Sequence, residues 1–356
     1  MRAVDFIQEN DLFLFDRIRC LRNEYYHNQC KECIDICPVN AIDIVKNKIS
    51  LDEKECTGCG VCVGVCPSEA LVSKNFDPEE FALTFRNKDE DEISCKKNSP
   101  CLSFFDTHHY IYMALKKDKD IFVDLKECEG CSLNMEGKTL ESIKKRVDLA
   151  NSFLKAIESG KEIKIQKEEK KLSRRELFGK FFKEIKNFEF KKEDFEKEHK
   201  PEVPKKLTLL KSALKEFLQN SQKSVFEGRF PFIVKKEIND SCTNCGECVQ
   251  FCPTGALFYS SDASKIFFQS GKCINCDICD DICKERAIKS SDLKEFDLIN
   301  FAFDRAEILI EFTLEVCRVC KCAFAYKGGD KICPRCEKFE NDFSDIFKLA
   351  SQEDGS

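Results

Sequence analysis

Tryptophan is absent from the 356-residue chain, and methionine (3) and histidine (4) are scarce. So few histidines leave little room for the imidazole-rich sites of metal hydrolases. No apolar run reaches the length needed to cross a bilayer, so no membrane span is expected. Within residues 1–20 the apolar stretch Leu12–Phe15 is closed in by Asp11 and Asp16, too short for the core of a secretory leader. A cytoplasmic location is the expectation. Positive charge is not in excess either: the net charge is −6, with 34% charged residues, and nothing suggests the one-sided basic surface of a nucleic-acid binder. Also missing are a dinucleotide fingerprint, a P-loop and any Ser/His/Asp or Cys/His constellation, so no catalytic residue is nominated.

What the chain does have is cysteine, 25 residues in short-spaced groups. In a chain with no legible leader, such grouping points to metal ligands rather than disulfides. The run CTGCGVCVGVCP places Cys56, Cys59, Cys62 and Cys66-Pro67 at C-x2-C-x2-C-x3-C-P. Upstream, Cys20 is followed after nine residues by Cys30, Cys33 and Cys37-Pro38, the same pattern with its first gap stretched. Between them AIDIVKNKISL alternates around Lys46-Asn47-Lys48 as a β-hairpin. The pattern returns as Cys242, Cys245, Cys248 and Cys252-Pro253, then Cys273, Cys276, Cys279 and Cys283, where Lys284 replaces proline. A hairpin in ALFYSSDASKIFFQS separates these two.

Both stretches resemble the bacterial two-cluster [4Fe–4S] ferredoxins, whose fold is a pseudo-twofold pair of short helices and hairpins. The resemblance implies that the last cysteine of each motif crosses to the other cluster. Cys20, Cys30, Cys33 and Cys66 would then hold one cube, and Cys56, Cys59, Cys62 and Cys37 the next. In the second unit the sets are Cys242, Cys245, Cys248 and Cys283, and Cys273, Cys276, Cys279 and Cys252. Without Cys20, a [3Fe–4S] cluster is the alternative at the first site. Arg22, Tyr25, Tyr26 and His27 in the stretched gap either tune that cluster or simply cover it. Gly58, Gly60 and Gly64 permit backbone N–H groups to face the sulfurs, and Ile34, Ile36, Val61, Val63 and Val65 exclude water.

Elsewhere the signals are weaker. Residues 1–19 read as helical, with Phe6, Ile7, Phe13 and Ile18 as packing residues. FALTF and EIS read as strands. Helical spacing follows through Leu102, Phe105, His109, Tyr112 and Met113, then the strand DIFVDL. A second helix shows Leu140, Ile143, Val147, Ala150, Leu154 and Ile157, and EIKI closes a βαβαβ-like order. Cys95 and Cys101, with Cys128 and Cys131, sit at its strand ends, where α/β sheets place ligands. This module resembles a thioredoxin-like iron–sulfur module; [2Fe–2S], zinc, a redox-active dithiol and plainly buried cysteines all stay open. His108 and His109 read as core or surface residues rather than ligands. Lys161–Lys206 reads as exposed helix and linker, with Ser173 and Glu176 as a capping box. At the end, Cys317, Cys320, Cys333 and Cys336 form two C-x2-C knuckles that resemble a zinc ribbon or rubredoxin, with zinc favoured over iron and Cys322 left out.

The expected architecture is α+β: a ferredoxin unit (1–78), a small thioredoxin-like α/β module (79–168), a charged helical linker (169–230), a second ferredoxin unit (231–295) and a zinc-ribbon-like segment (296–356). The implied function is that of a polyferredoxin, relaying electrons between oxidoreductase partners through four [4Fe–4S] clusters. An accessory factor for maturing a metalloenzyme such as a molybdoenzyme is the alternative, suggested by SRRELFGKFF (173–182), which is similar to a segment of nitrate-reductase maturation proteins.

Overall fold

Short strands, rather than a helix, open the first unit in the computed structural model, which describes residues 7–9, 12–26, 28–46, 48–166, 202–291 and 294–348. β1 (Ile7–Glu9) pairs antiparallel with β2 (Phe13–Asp16). The expected helix over 1–19 is therefore corrected. Four consecutive apolar residues carry no period of their own, and here they run into the central strand of a three-stranded sheet. The short helices α1 (Leu21–Glu24) and α2 (Glu32–Asp35) follow, then the hairpin β3 (Ile42–Val45) and β4 (Lys48–Leu51). After α3 (Val61–Val65), β5 (Leu71–Ser73) returns to pair with β2, Phe13 facing Ser73.

The segment FALTF, expected as a strand, lies in helix α4 (Pro78–Phe85). Asp77 accepts from the Glu80 amide at 2.9 Å and Pro78 opens the helix, so the cap outweighs the β propensity of its aromatic residues. Beyond it the βαβαβ order stands: β6 (Glu92–Ser94), α5 (Thr107–Lys116), β7 (Ile121–Asp124), α6 (Lys138–Ala156) and β8 (Ile163–Gln166). Its three strands are parallel, in the order β6-β7-β8.

SRRELFGKFF and the capping box at Ser173 and Glu176 lie outside the described residues. Where description resumes, α7 (Lys205–Asn220) is not an exposed linker. Its Leu207, Leu210 and Leu214 are buried in one core with Tyr110, Ile111 and Leu154 of the middle module. Phe226, Phe230, Phe232 and Phe296 join that core around Phe153. Residues expected in four separate segments thus share one hydrophobic interior.

β9 (Val225–Glu227) precedes the second unit, which begins with β10 (Lys236–Ile238) and α8 (Glu247–Gln250). The hairpin β11 (Leu257–Tyr259) and β12 (Lys265–Phe268), helix α9 (Ile278–Ile282) and β13 (Ile288–Ser290) complete the repeat, with β10 paired to β13. β14 (Glu295–Asp297) pairs back to β9 and leads into α10 (Leu298–Ala302). β15 (Glu307–Glu311) adds a third strand beside β12, so this stretch belongs to the second unit's sheet rather than to the knuckles. The hairpin β16 (Leu314–Val316) and β17 (Ala323–Ala325) and helix α11 (Pro334–Lys348) carry those. Among the described residues no helix is long and apolar enough to cross a membrane.

Candidate metal centres

The three regularly spaced cysteine motifs fold in the same way. In each, the loop bearing the first two thiols turns through left-handed residues, at Gly58 and Gly60, Asn244 and Gly246, or Asn275 and Asp277. A short helix then carries the third thiol. The turns aim amides at sulfur two residues back: Gly58 N–H at Cys56, Asn244 N–H at Cys242, Asn275 N–H at Cys273. After the fourth thiol the chain turns again, and the third residue on is left-handed in all four motifs: Asn40, Glu69, Gly255 and Arg286. In three of them the next amide donates back to sulfur at 3.2 Å: Ala41 to Cys37, Ala70 to Cys66, Ala287 to Cys283. These successive N–H groups form concave nests for an anionic centre. The buried alanine four residues after each last cysteine was a readable signal of this turn, and spacing between cysteines alone overlooks it.

In the first unit, the Cys20, Cys30, Cys33 and Cys66 sulfurs come within electrostatic reach of one another. Burial pushes the Cys20 thiol up to about 11, against the amides of Arg22 and Asn23, with Cys66 and Cys30 adding to it. Burial likewise raises Cys33, and all three partners add to the shift. Cys62 is raised by burial and by Cys59, Cys33, Cys56 and Cys37. In the second unit, burial and then Cys242, Cys245 and Cys283 push Cys248 up to about 12. Burial pushes Cys276 up to about 12, with Cys273 and Cys252 adding to it. A cavity of about 110 Å³ opens among Cys242, Cys245, Cys248 and Cys283. Cys252, Cys273, Cys276 and Cys279 line another. Crowded sulfurs, most of them buried or half-buried with Cys245 exposed, that face amide donors and a cavity fit a multi-iron cluster bound by thiolates.

Cations approach these quartets from the inserted gap and from elements outside the motifs. Arg22, 4% exposed, donates to the Cys30 carbonyl at 2.7 Å. Lys206, 4% exposed, donates to the Cys66 carbonyl at 2.7 Å and to Asp106 at 2.6 Å. Burial would raise Asp106, but Lys206 and His108 hold its carboxyl well below the usual range. Lys236, 1% exposed, binds both Asp280 oxygens at 3.0 Å and Ser290 at 2.7 Å. Burial would lower its pKa, but the Cys279 sulfur and Asp280 raise it. Sequence reasoning missed these lysines because their partners are distant in the chain. Of the inserted-gap residues, Tyr25 packs edge-on against Phe251 while Tyr26 is exposed; His27 lies outside the described residues. His109 is buried and satisfied, its Nδ1 accepting from the Asp106 amide at 2.9 Å and its Nε2 3.1 Å from Glu79.

Two further quartets differ from these and from each other. Cys317, Cys320, Cys333 and Cys336 place their sulfurs within 4.8 Å of one another, the one His/Cys/Asp/Glu group among the described residues gathered that tightly. The amides of Cys320, Cys333 and Val319 bring Cys317 down to about 6 against the effect of burial. Cys322 is exposed and outside this group. In the middle module, burial and then Cys101, Cys95 and Cys131 push Cys128 up to about 12.

Two stretches, residues 28–70 and 235–284, each match the 4Fe-4S dicluster domain. The first match begins beyond Cys20. A ferredoxin of Methanothermococcus thermolithotrophicus is 40% identical over 47 residues, 13% of this chain and 78% of that protein. An uncharacterized ferredoxin of Methanocaldococcus jannaschii is 28% identical over 96 residues, 27% of this chain and 56% of its own length. One component of an ion-translocating oxidoreductase complex of Methanosarcina acetivorans is 40% identical over 42 residues, 12% of this chain and only 16% of that component. The chain belongs to the ferredoxin-type iron–sulfur proteins. Its two dicluster domains imply four [4Fe–4S] clusters and an electron-transfer role.

Proposed function

We propose that the chain is a polyferredoxin that relays electrons between two oxidoreductase partners in the cytoplasm. Its ligand sets are Cys20, Cys30, Cys33 and Cys66; Cys37, Cys56, Cys59 and Cys62; Cys242, Cys245, Cys248 and Cys283; and Cys252, Cys273, Cys276 and Cys279. Bound [4Fe–4S] clusters would supply reversible one-electron chemistry. The chain's residues bind through thiolate, donate amide hydrogen bonds, exclude water and bring buried cations near the quartets. Zinc suits the tight knuckle quartet, where it would act as a structural clamp beside the second unit. Lys327, between the knuckle pairs, donates to the Asp240 carbonyl two residues before Cys242, which supports that placement.

One observation carries the relay reading. The Asn28 amide donates to the Cys276 carbonyl at 3.1 Å, while its own side-chain oxygen accepts from the Cys30 amide at 3.0 Å. A single side chain in the stretched first gap therefore joins ligand loops of different units. The insertion would serve to bring the two cluster pairs together, which a covering loop would not need to do. The oxidoreductase-complex component among the relatives favours partners of that class.

Anaerobic purification with iron and sulfide analysis and EPR of the reduced protein tests the cofactors. About sixteen irons are expected in four cubes. Far fewer in fully reconstituted protein would undo the reading. Rapid-mixing exchange with a small ferredoxin tests the relay, which requires that all four centres equilibrate.

A further inference from the structure

Two of the middle-module cysteines leave one edge of a parallel sheet. β6 and β7 pair with Ser94 opposite Asp124, and Ser94 donates to the Asp124 carboxylate at 2.8 Å. Cys95 directly follows β6, and Cys128 follows β7 after a short turn, so both emerge at the carboxyl ends of neighbouring strands. Cys101 and Cys131 complete the group, each within electrostatic reach of Cys95 and Cys128. A redox dithiol would need only Cys128 and Cys131; the second pair converging from another strand has no part in such a device. Nor is this group drawn around a single point in the way the knuckle quartet is. Ligands spread more widely suit a centre of several atoms better than one zinc ion.

The surroundings tie this quartet to the first ferredoxin unit. Ser103 Oγ lies 3.1 Å from Cys101 Sγ and donates to the Cys59 carbonyl at 2.5 Å. The buried Arg146 guanidinium donates to the Ser103 and Phe105 carbonyls at 2.7 and 2.9 Å and to the Val61 carbonyl at 3.2 Å. Its charge acts on Cys62 of one group and Cys101 of the other. Two glycines set the approach. A Cβ at Gly60 would stand 2.3 Å from the Phe104 ring, and one at Gly64 would stand 2.5 Å from the Ser103 carbonyl. Any side chain there pushes the modules apart.

We propose that Cys95, Cys101, Cys128 and Cys131 bind a fifth iron–sulfur cluster, held against the Cys37/Cys56/Cys59/Cys62 site by Ser103 and Arg146. Taken with the Asn28 contact, this connects five sites through a succession of contacts. The middle module stands at one end and the Cys242/Cys245/Cys248/Cys283 site, beside the knuckles, at the other. The middle module is then a terminal port of the relay rather than a spacer. The proposal rests on the relay reading for that role, though not for its metal.

Iron, sulfide and zinc are measured on the anaerobically purified full chain and on its Cys128→Ser/Cys131→Ser variant. Wild type should hold about two or four irons beyond sixteen, the variant should lose only those, and zinc should stay unchanged. Wild-type iron that stops at about sixteen, or a variant that loses zinc instead, overturns the fifth cluster. The wild-type count decides even if the variant does not fold. Ser103→Ala keeps every ligand; it should retain all the iron and alter the EPR of the fifth centre and one neighbour. Spectra unchanged throughout would remove Ser103 as the link. If wild-type iron fell far below sixteen, the four-cube reading would fail, while the iron lost between wild type and variant would still report the fifth site.

Discussion

The two ferredoxin units share a fold, yet the same strand position holds a phenylalanine in one and a lysine in the other. In the first unit Phe13 of β2 faces Ser73 of β5; in the second Lys236 of β10 faces Ser290 of β13. Phe13 contributes apolar packing to its core, whereas Lys236 places a buried cation beside Cys279 and Cys273. The first unit obtains its positive charge by other routes, from Arg22 in the inserted loop, Lys206 of α7 and Arg146 of α6. Cysteine spacing thus defines where clusters go, while residues outside the motifs decide the field each one feels.

The largest expected effect concerns which thiols belong together. Under crossed ligation, Cys66→Ala and Cys20→Ala should abolish the same EPR signal, and Cys66→Ala and Cys56→Ala different ones. Each should remove up to about four irons from the first unit and leave the second untouched. If Cys66→Ala silenced the same signal as Cys56→Ala, the two units could no longer be described by one crossed scheme.

Next in size is the cation that only the first unit takes from α7. Asp106→Asn leaves Lys206 buried without its carboxylate, a loss of about 3–5 kcal/mol in the unfolding of the shared core. The Asp106 carboxyl is depressed in the folded state, so its contribution is fully present above about pH 4 and disappears as pH falls through its lowered value. Urea unfolding at pH 7 measures it, and a shift below about 1 kcal/mol would mean that Lys206 is paired well enough by the Cys66 and Gly64 carbonyls.

Lys236→Met tests the comparison directly by giving the second unit an apolar residue where the first has Phe13. A positive charge stabilises the reduced, more negative centre, so its removal lowers the potential of one second-unit cluster. The drop should be on the order of 100 mV, for a unit charge several ångströms away at an effective dielectric of about 20. EPR-monitored redox titration reads it. Equal shifts in all four clusters would point to a change in fold instead of a local charge.

Much of this arrangement was legible in the chain. The regular motifs and the βαβαβ order rest on local spacing, and local spacing survives folding. Three features did not show because they depend on distant partners. Residues 13–16 become a strand by pairing with β1 on one side and the distant β5 on the other. The charged helix over 205–220 is core because Lys206 and Lys211 find Asp106 and Asp304. Asn28 looks like a loop residue until Cys276, 248 positions away, comes beside it. No period or composition encodes those meetings.

The smallest effect tests the one turn where the repeat departs from proline. Cys66 before Pro67 has φ −61° and ψ 114°; Cys283 before Lys284 has φ −73° and ψ 100°. Both are extended, as a residue preceding proline must be. Cys283 therefore already has the conformation that a following proline requires. Lys284→Pro should stabilise the protein by about 0.4–1 kcal/mol through the unfolded chain. Against that stands the loss of the Lys284–Glu247 contact at 3.3 Å, an exposed pair worth about 0.2–1 kcal/mol at most. Since that pair is screened by salt, the gain should be clearest at high ionic strength, where denaturation midpoints of the two proteins are compared. A midpoint that falls there would show that Lys284 holds this turn in a way that its three proline counterparts do not.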